Sequence, residues 1–204
     1  MGISLSVDFV ELDVQRTRDG CLVAMHDALV DRTTSGSGAV SDMTWDELRL
    51  LYAGNGERVP SLEAVLAAAD GHAGVMLEIK AAGTGLEIQR AVRASGFSGR
   101  VIYASFLHAE ILAIREADPV ADTMALMECV PVSGAAFALD AKATLVGLAF
   151  EFATPEFIAT LHDAGVQVCL YTVNEPWLIR RAIDLGVDGV ISDYPERVPK
   201  GRMG

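Results

Sequence analysis

Apolar residues fall along this chain in short runs, and two spacings alternate between them. The runs at 8–14, 75–79 (VMLEI), 101–105 (VIYAS), 123–128 (TMALME), 145–150 (LVGLAF), 166–173 (VQVCLYTV) and 188–192 (DGVIS) are nearly continuous and of strand length. Between them, 61–69, 85–95, 108–117, 133–141, 155–164 and 175–185 carry the wider spacing of amphipathic helices. Thr154 and Pro155 ahead of EFIATLHDAG supply a cap and a first-turn proline, and Gly165 supplies the stop. Strands apolar on both faces and separated by helices predict a parallel sheet with helices outside it. Seven such strands, without a glycine-rich dinucleotide turn, favour a (β/α) barrel over a doubly wound sheet.

The rhythm breaks between about 21 and 60. CLVAMHD follows an Asp19-Gly20 turn signal and predicts a short extra strand, and TTSGSG (33–38) is a polar loop. Thr44 and Glu47 in TWDELRLL have capping-box spacing, so a short helix starts there. The segment reads as a small insertion after the first strand of a single domain spanning 1–204, with no internal repeat.

The first strand also carries chemistry. Glu11 and Asp13 alternate with Val10, Leu12 and Val14, so both acids share one face. A pair of surface acids on an edge strand would give the same pattern. In a barrel, however, helices cover the outer face and the acids turn inward, where two like charges require a compensating cation or a shared proton. Oxygen donors suit a hard divalent ion, Mg²⁺ or Ca²⁺. LEIK repeats the arrangement: Glu78 offers a third oxygen ligand, and Lys80 a contact to phosphate or leaving group, a rim ion pair being the alternative. His26, directly before Asp27, suits acid–base work near neutral pH, or is a hydrogen-bonded loop histidine. His72 and His162 are expected to be structural, and His108 at a helix start is a weak catalytic candidate.

Composition narrows the partners. With 51% apolar and 22% charged residues the chain is of ordinary globular type. A net charge of −12 without a basic patch disfavours nucleic acid, and gives an anionic small substrate reason to need a bridging cation. Cys21, Cys129 and Cys169 have no metal-ligand spacing; the latter two, in apolar segments, are expected to be buried free thiols of a reducing compartment. No secretory leader opens the sequence, and the most apolar long stretch, 132–150, is interrupted by Asp140 and Lys142. A soluble, cytoplasmic protein with no integral membrane segment is expected.

Several spaced motifs together are similar to one family. VDFVELDVQRTRDGCLVAMHDALVDRTTSGSGAVSDMTWDELRLL, VPSLEAVL, LEIK, YASF, TVN (172–174) and GVDGVISDYPE resemble the glycerophosphodiester phosphodiesterase family, in that family's order and over almost the whole chain. The resemblance implies a TIM-type (β/α)8 barrel of the phospholipase-C-like phosphodiesterase kind, hydrolysing glycerophosphodiesters to an alcohol and glycerol 3-phosphate. It implies Glu11, Asp13 and Glu78 as ligands of the divalent metal, His26 as one of two acid–base histidines, and Lys80 beside the phosphate. Ser105, Phe106 and Tyr171 would line the substrate pocket, Tyr171 standing where the family more often has tryptophan.

One departure from the family pattern is large. Members open with a strand ending in His-Arg-Gly, an E-N-T segment and a helix, whereas only MGISLS precedes VDFVELDV here. A barrel without its first β/α unit is therefore expected, lacking one catalytic histidine, an arginine facing the phosphate and a glutamate beside the metal. That shortfall predicts impaired hydrolysis. An inactive barrel serving as a binding or scaffold module, or a related phospholipid head-group phosphodiesterase or lyase, are the alternatives.

Overall fold

Leu12 and Val14 are 8% and 1% exposed, while Glu11 is open to solvent and Asp13 is half-buried, so the first strand sorts its two faces by polarity. A computed structural model describes residues 7–199, which form two compact units, one of Asp8–Val101 and one running on from Ile102.

In the first unit, β1 (Phe9–Arg16) lies between β2 (Leu22–Ala24) and β3 (Gly74–Ile79). β3 runs parallel to β1, with Phe9 opposite Gly74, Asp13 opposite Glu78 and Val14 opposite Ile79. β2 is antiparallel, and its pairing of Gln15 with Val23 and Arg16 with Leu22 carries β1 two residues past the expected end at 14. The hairpin closes on Thr17, whose hydroxyl donates to Asp19 at 2.6 Å while its amide donates to Cys21 O at 2.9 Å. Gly20 takes the left-handed conformation there, at φ +88°. Asp19 in turn accepts from the Trp45 amide at 3.0 Å.

The helices of this unit start at their caps. α1 (Trp45–Leu48) begins with the expected capping box of Thr44 and Glu47, and α2 (Leu62–Ala69) with Ser61 accepting from the Ala64 amide. β2 and the segment that joins it to α2 pack their own core of Val23, Met25, Val30, Val40, Leu48 and Val59. α3 (Gly85–Ser95) follows β3 and ends on Gly96, at φ +70°. Gly74 is required by close approach, because a Cβ there would lie 2.6 Å from the Phe9 ring.

In the second unit, β4 (Val101–Ser105), β5 (Asp122–Met127), β6 (Leu145–Ala149), β7 (Gln167–Tyr171) and β8 (Gly189–Val190) are parallel neighbours in that order. α4 (His108–Ala117), α5 (Ala136–Asp140), α6 (Pro155–Asp163) and α7 (Pro176–Asp184) connect them. The core comes from both element types: Val146, Leu148, Val168 and Leu170 from the strands, Ile158, Leu161 and Ile179 from the helices. α6 is capped by Thr154, which accepts from the Phe157 amide at 3.2 Å, and stops at Gly165 with φ +76°. α5 starts three residues later than the expected 133, because Pro131–Gly134 forms a turn closed by Gly134 N donating to Pro131 O.

One expectation fails here. Cys169 is buried in β7, but Cys129 is exposed, since β5 ends at Met127 and the chain turns outward after it. No described helix is long and apolar enough to cross a membrane.

Candidate active site

The parallel register of β1 and β3 assembles the acids. Asp13 and Glu78 are paired across the two strands, and Glu11 lies two residues back on the same face as Asp13. One carboxylate oxygen from each of Glu11, Asp13 and Glu78 lies within 4.8 Å of the other two. Lys80 follows directly: its amide donates to Val14 O at 3.3 Å, which continues the ladder and keeps its side chain on the face of Glu78. The Lys80 ammonium donates to Asp13 Oδ1 at 2.9 Å and to Glu78 Oε1. These three side chains are only 14–18% exposed.

The electrostatics follow from that enclosure. Burial pushes the Glu78 carboxyl up, since it disfavours the charged form, and the Lys80 ammonium offsets only part of the effect. Burial alone would lower Lys80, but its hydrogen bonds to Glu78 and Asp13 outweigh it and the ammonium is held more firmly protonated than usual. Three carboxylates against one ammonium leave the cluster negative. The all-oxygen donor set and the residual charge both fit a hard divalent cation.

β2 returns the chain to this edge. Ala24 pairs with Val14, and the Met25 amide donates to Asp13 O at 2.9 Å, so His26 leaves the sheet beside the strand that bears the acids. Its imidazole is exposed. His26 Nδ1 lies 2.6 Å from Asp27 Oδ1, and Arg32 grips the same carboxylate through Nε at 2.6 Å and an Nη at 2.9 Å. The sequence places Asp27 directly after His26 but assigns neither it nor Arg32 a role. The adjacency in HDALVDR was the available signal, but only the turn through Val30 brings the arginine back onto the aspartate.

The other expected residues lie on the second unit. Ser105 is buried, and its hydroxyl accepts from the Leu107 amide at 3.0 Å, shaping the turn from β4 into α4. Phe106 is 44% exposed and meets Tyr171 edge to face, with ring centroids 6.3 Å apart; the Tyr171 hydroxyl donates to Met127 O at 3.1 Å. His108 is tied to Leu126 O at 3.0 Å and stacked on Phe137, and His162 is paired with Asp188, so both do structural work. The TVN and ISDYPE motifs meet at Asn174. Its amide donates to Asp193 and accepts from the Ser192 hydroxyl and the Asp193 amide.

Known proteins resemble this chain in sequence and in fold. The sequence profile of the glycerophosphoryl diester phosphodiesterase family matches residues 1–197. A glycerophosphodiester phosphodiesterase of Caldanaerobacter subterraneus is 34% identical over 95% of this chain and 85% of its own length. A glycerophosphodiester phosphodiesterase of Bacillus subtilis is 29% identical over 98% of this chain and 78% of its own. Among solved structures, the glycerophosphodiester phosphodiesterase of Agrobacterium tumefaciens superposes with a TM-score of 0.81 at 26% identity, covering 96% of this chain and 88% of that one. An Oleispira antarctica phosphodiesterase, solved with its product sn-glycerol-3-phosphate, gives a TM-score of 0.88 at 22% identity, covering 96% and 85%. The fold is that of these enzymes, the TIM-type α/β class that the alternation of strands and helices predicts. With its profile matched almost end to end, the chain belongs to the glycerophosphoryl diester phosphodiesterase family, whose members are phosphoric diester hydrolases.

Proposed function

We propose that this chain hydrolyses glycerophosphodiesters to an alcohol and glycerol 3-phosphate, with Mg²⁺ or Ca²⁺ held by Glu11, Asp13 and Glu78. The observation that carries the reading is the convergence of those three carboxylates, from two parallel strands, within 4.8 Å. A fold module that only bound a partner would have no use for three like charges gathered together, two of them, Asp13 and Glu78, largely shielded from water. When bound, such a cation polarises a phosphate oxygen and stabilises the charge that builds in the transition state.

The remaining steps fall to the protein's own side chains. Lys80, fixed by Asp13 and Glu78, presents a positive charge to the phosphate. His26 moves a proton at Nε2, to or from the attacking or departing oxygen. Phe106 and Tyr171 are the proposed substrate contacts on the second unit, with Ser105 shaping the turn beneath Phe106. Three free cysteines among the described residues are compatible with work in the reducing cytoplasm. The His-Arg-Gly motif of the family does not occur among these 204 residues. With His26 as its one assigned acid–base group, a protein of these residues is expected to turn over roughly 10²–10⁴-fold more slowly than one with a second such group.

The test is release of glycerol 3-phosphate from glycerophosphocholine, with Mg²⁺, Ca²⁺ or EDTA present. Cation-dependent release that Asp13→Asn abolishes is expected. Cyclic phosphate in its place would identify a lyase, and no product with any cation would sink the proposal.

A further inference from the structure

The loop after β2 contains an arrangement that the metal-and-phosphate reading does not use. Asp27 Oδ1 meets both His26 Nδ1, at 2.6 Å, and an Arg32 Nη, at 2.9 Å; Asp27 Oδ2 accepts from Arg32 Nε at 2.6 Å. Both carboxylate oxygens are thus engaged, and the forked guanidinium fixes the plane of the carboxylate. The backbone carrying Arg32 is itself anchored. Val30 is fully buried, its amide donates to Gly38 O, and its carbonyl accepts from the Thr34 amide. His26 and Arg32 are 63% and 64% exposed, and ion pairs so open to water add little to stability. Their geometry therefore calls for another use.

The tautomer supplies it. Arg32, and after it His26, hold the Asp27 carboxyl far below the usual carboxylate range. An ionised carboxylate only accepts, so the proton between Asp27 and the imidazole belongs to Nδ1, and the neutral ring keeps its lone pair on Nε2. A free imidazole favours the opposite tautomer. We propose that Asp27 and Arg32 are positioning residues for His26, the carboxylate selecting the tautomer and ring orientation that present Nε2 for proton transfer, and the guanidinium locking the carboxylate in place. The inference rests on the acid–base role assigned to His26 above. It adds that this role depends on a relay of two further side chains, in the way an oriented histidine depends on its carboxylate in hydrolytic triads.

The experiment combines a spectroscopic arm, which needs no turnover, with a kinetic arm. In the full chain labelled with ¹⁵N-histidine, at a pH where the imidazole is neutral, two-bond ¹H–¹⁵N spectra report which ring nitrogen bears the proton. Wild type is expected to show Nδ1 protonated at His26. Asp27→Ala shifts His26 to the Nε2-protonated form, and Arg32→Ala shifts it in part, while the spectra of His72, His108 and His162 stay in place and report an intact fold. In the kinetic arm, Asp27→Ala lowers kcat by about 10²-fold or more with KM nearly unchanged, and Arg32→Ala lowers it by about tenfold. His26→Ala separates the two ideas. A wild-type rate in His26→Ala removes the acid–base role and with it the reason for the relay. An inactive His26→Ala beside an Asp27→Ala protein of wild-type tautomer and kcat overturns the relay alone.

Discussion

Lys80 Nζ stands 2.9 Å from Asp13 Oδ1, reaching across from the strand next to the one that bears the aspartate. The same ammonium serves Glu78, so one fixed positive charge occupies the cradle that three carboxylates offer to a cation.

Removing that charge should expose the strain between the acids. Lys80→Met leaves Asp13 and Glu78, each under 20% exposed, without their ammonium. In EDTA the variant is expected to lose about 1–3 kcal/mol of unfolding free energy. Mg²⁺ should then raise its urea midpoint by more than it raises that of wild type. Urea titrations with and without the cation measure both; an identical response of the two proteins would show that the ammonium and the cation do not share the cradle.

Asn174 links the turn after β7 to the turn after β8. Its side chain makes three hydrogen bonds, to Asp193, Ser192 and the Asp193 amide. Asn174→Ala is expected to destabilise the protein by about 1–3 kcal/mol and to speed amide exchange at 172–175 and 191–194 first. Unchanged exchange there would mean the turns are held by other contacts.

Asp70 gives a pH dependence of definite sign. It accepts from the Ser98 amide at 2.8 Å and the Ser98 hydroxyl at 2.7 Å, and these bonds, the amide first, lower its folded pKa. A depressed carboxyl stabilises the fold above the unfolded value of about 3.9, and that stabilisation is lost as pH falls through the lower folded value. Asp70→Asn should therefore melt below wild type at pH 7, and the gap should narrow as the pH is taken below 3.9. A gap independent of pH would show that the charge of Asp70 does not contribute.

The three thiols should separate by rate. Cys129 is exposed, whereas burial pushes Cys169 up to about 12, Asp188 adding to it, and Cys21 up to about 11, with Glu63 and Asp19 adding to it. A disulfide reagent at pH 8 is expected to modify Cys129 rapidly and Cys169 only on unfolding, since the thiolate is the reacting species. Cys129→Ser should erase the fast phase.

Hydrophobic spacing alone located most of the secondary structure, and the reason is physical. A strand buried on both faces, such as Leu145–Ala149, and a capped helix such as Pro155–Asp163 are each specified by a few adjacent residues. The acid cluster was legible for the same reason, because a period of two places Glu11 and Asp13 on one face whatever their neighbours do. What spacing could not supply was register between distant segments. The pairing of Asp13 with Glu78 depends on sixty-four intervening residues folding as they do, and Cys129, expected to be buried, lies beyond a strand that ends at Met127. Side-chain partners were similarly hidden. Lys80 was open to two readings, a phosphate contact or an ion pair, and spacing could not name Asp13 as its partner, while the nearness of Arg32 to Asp27 in sequence did not show that the loop brings the two together.

The hairpin of β1 and β2 has a bearing on folding order. In a sheet of parallel strands, each new strand ordinarily waits for a helix to cross back, but here the chain turns on Gly20 and returns at once. Glu11, Asp13 and His26 are therefore carried by one hairpin, no more than fifteen residues apart in sequence. Contacts that close are made early and quickly. Such local closure favours gathering the two acids and the histidine before Glu78 joins them from β3.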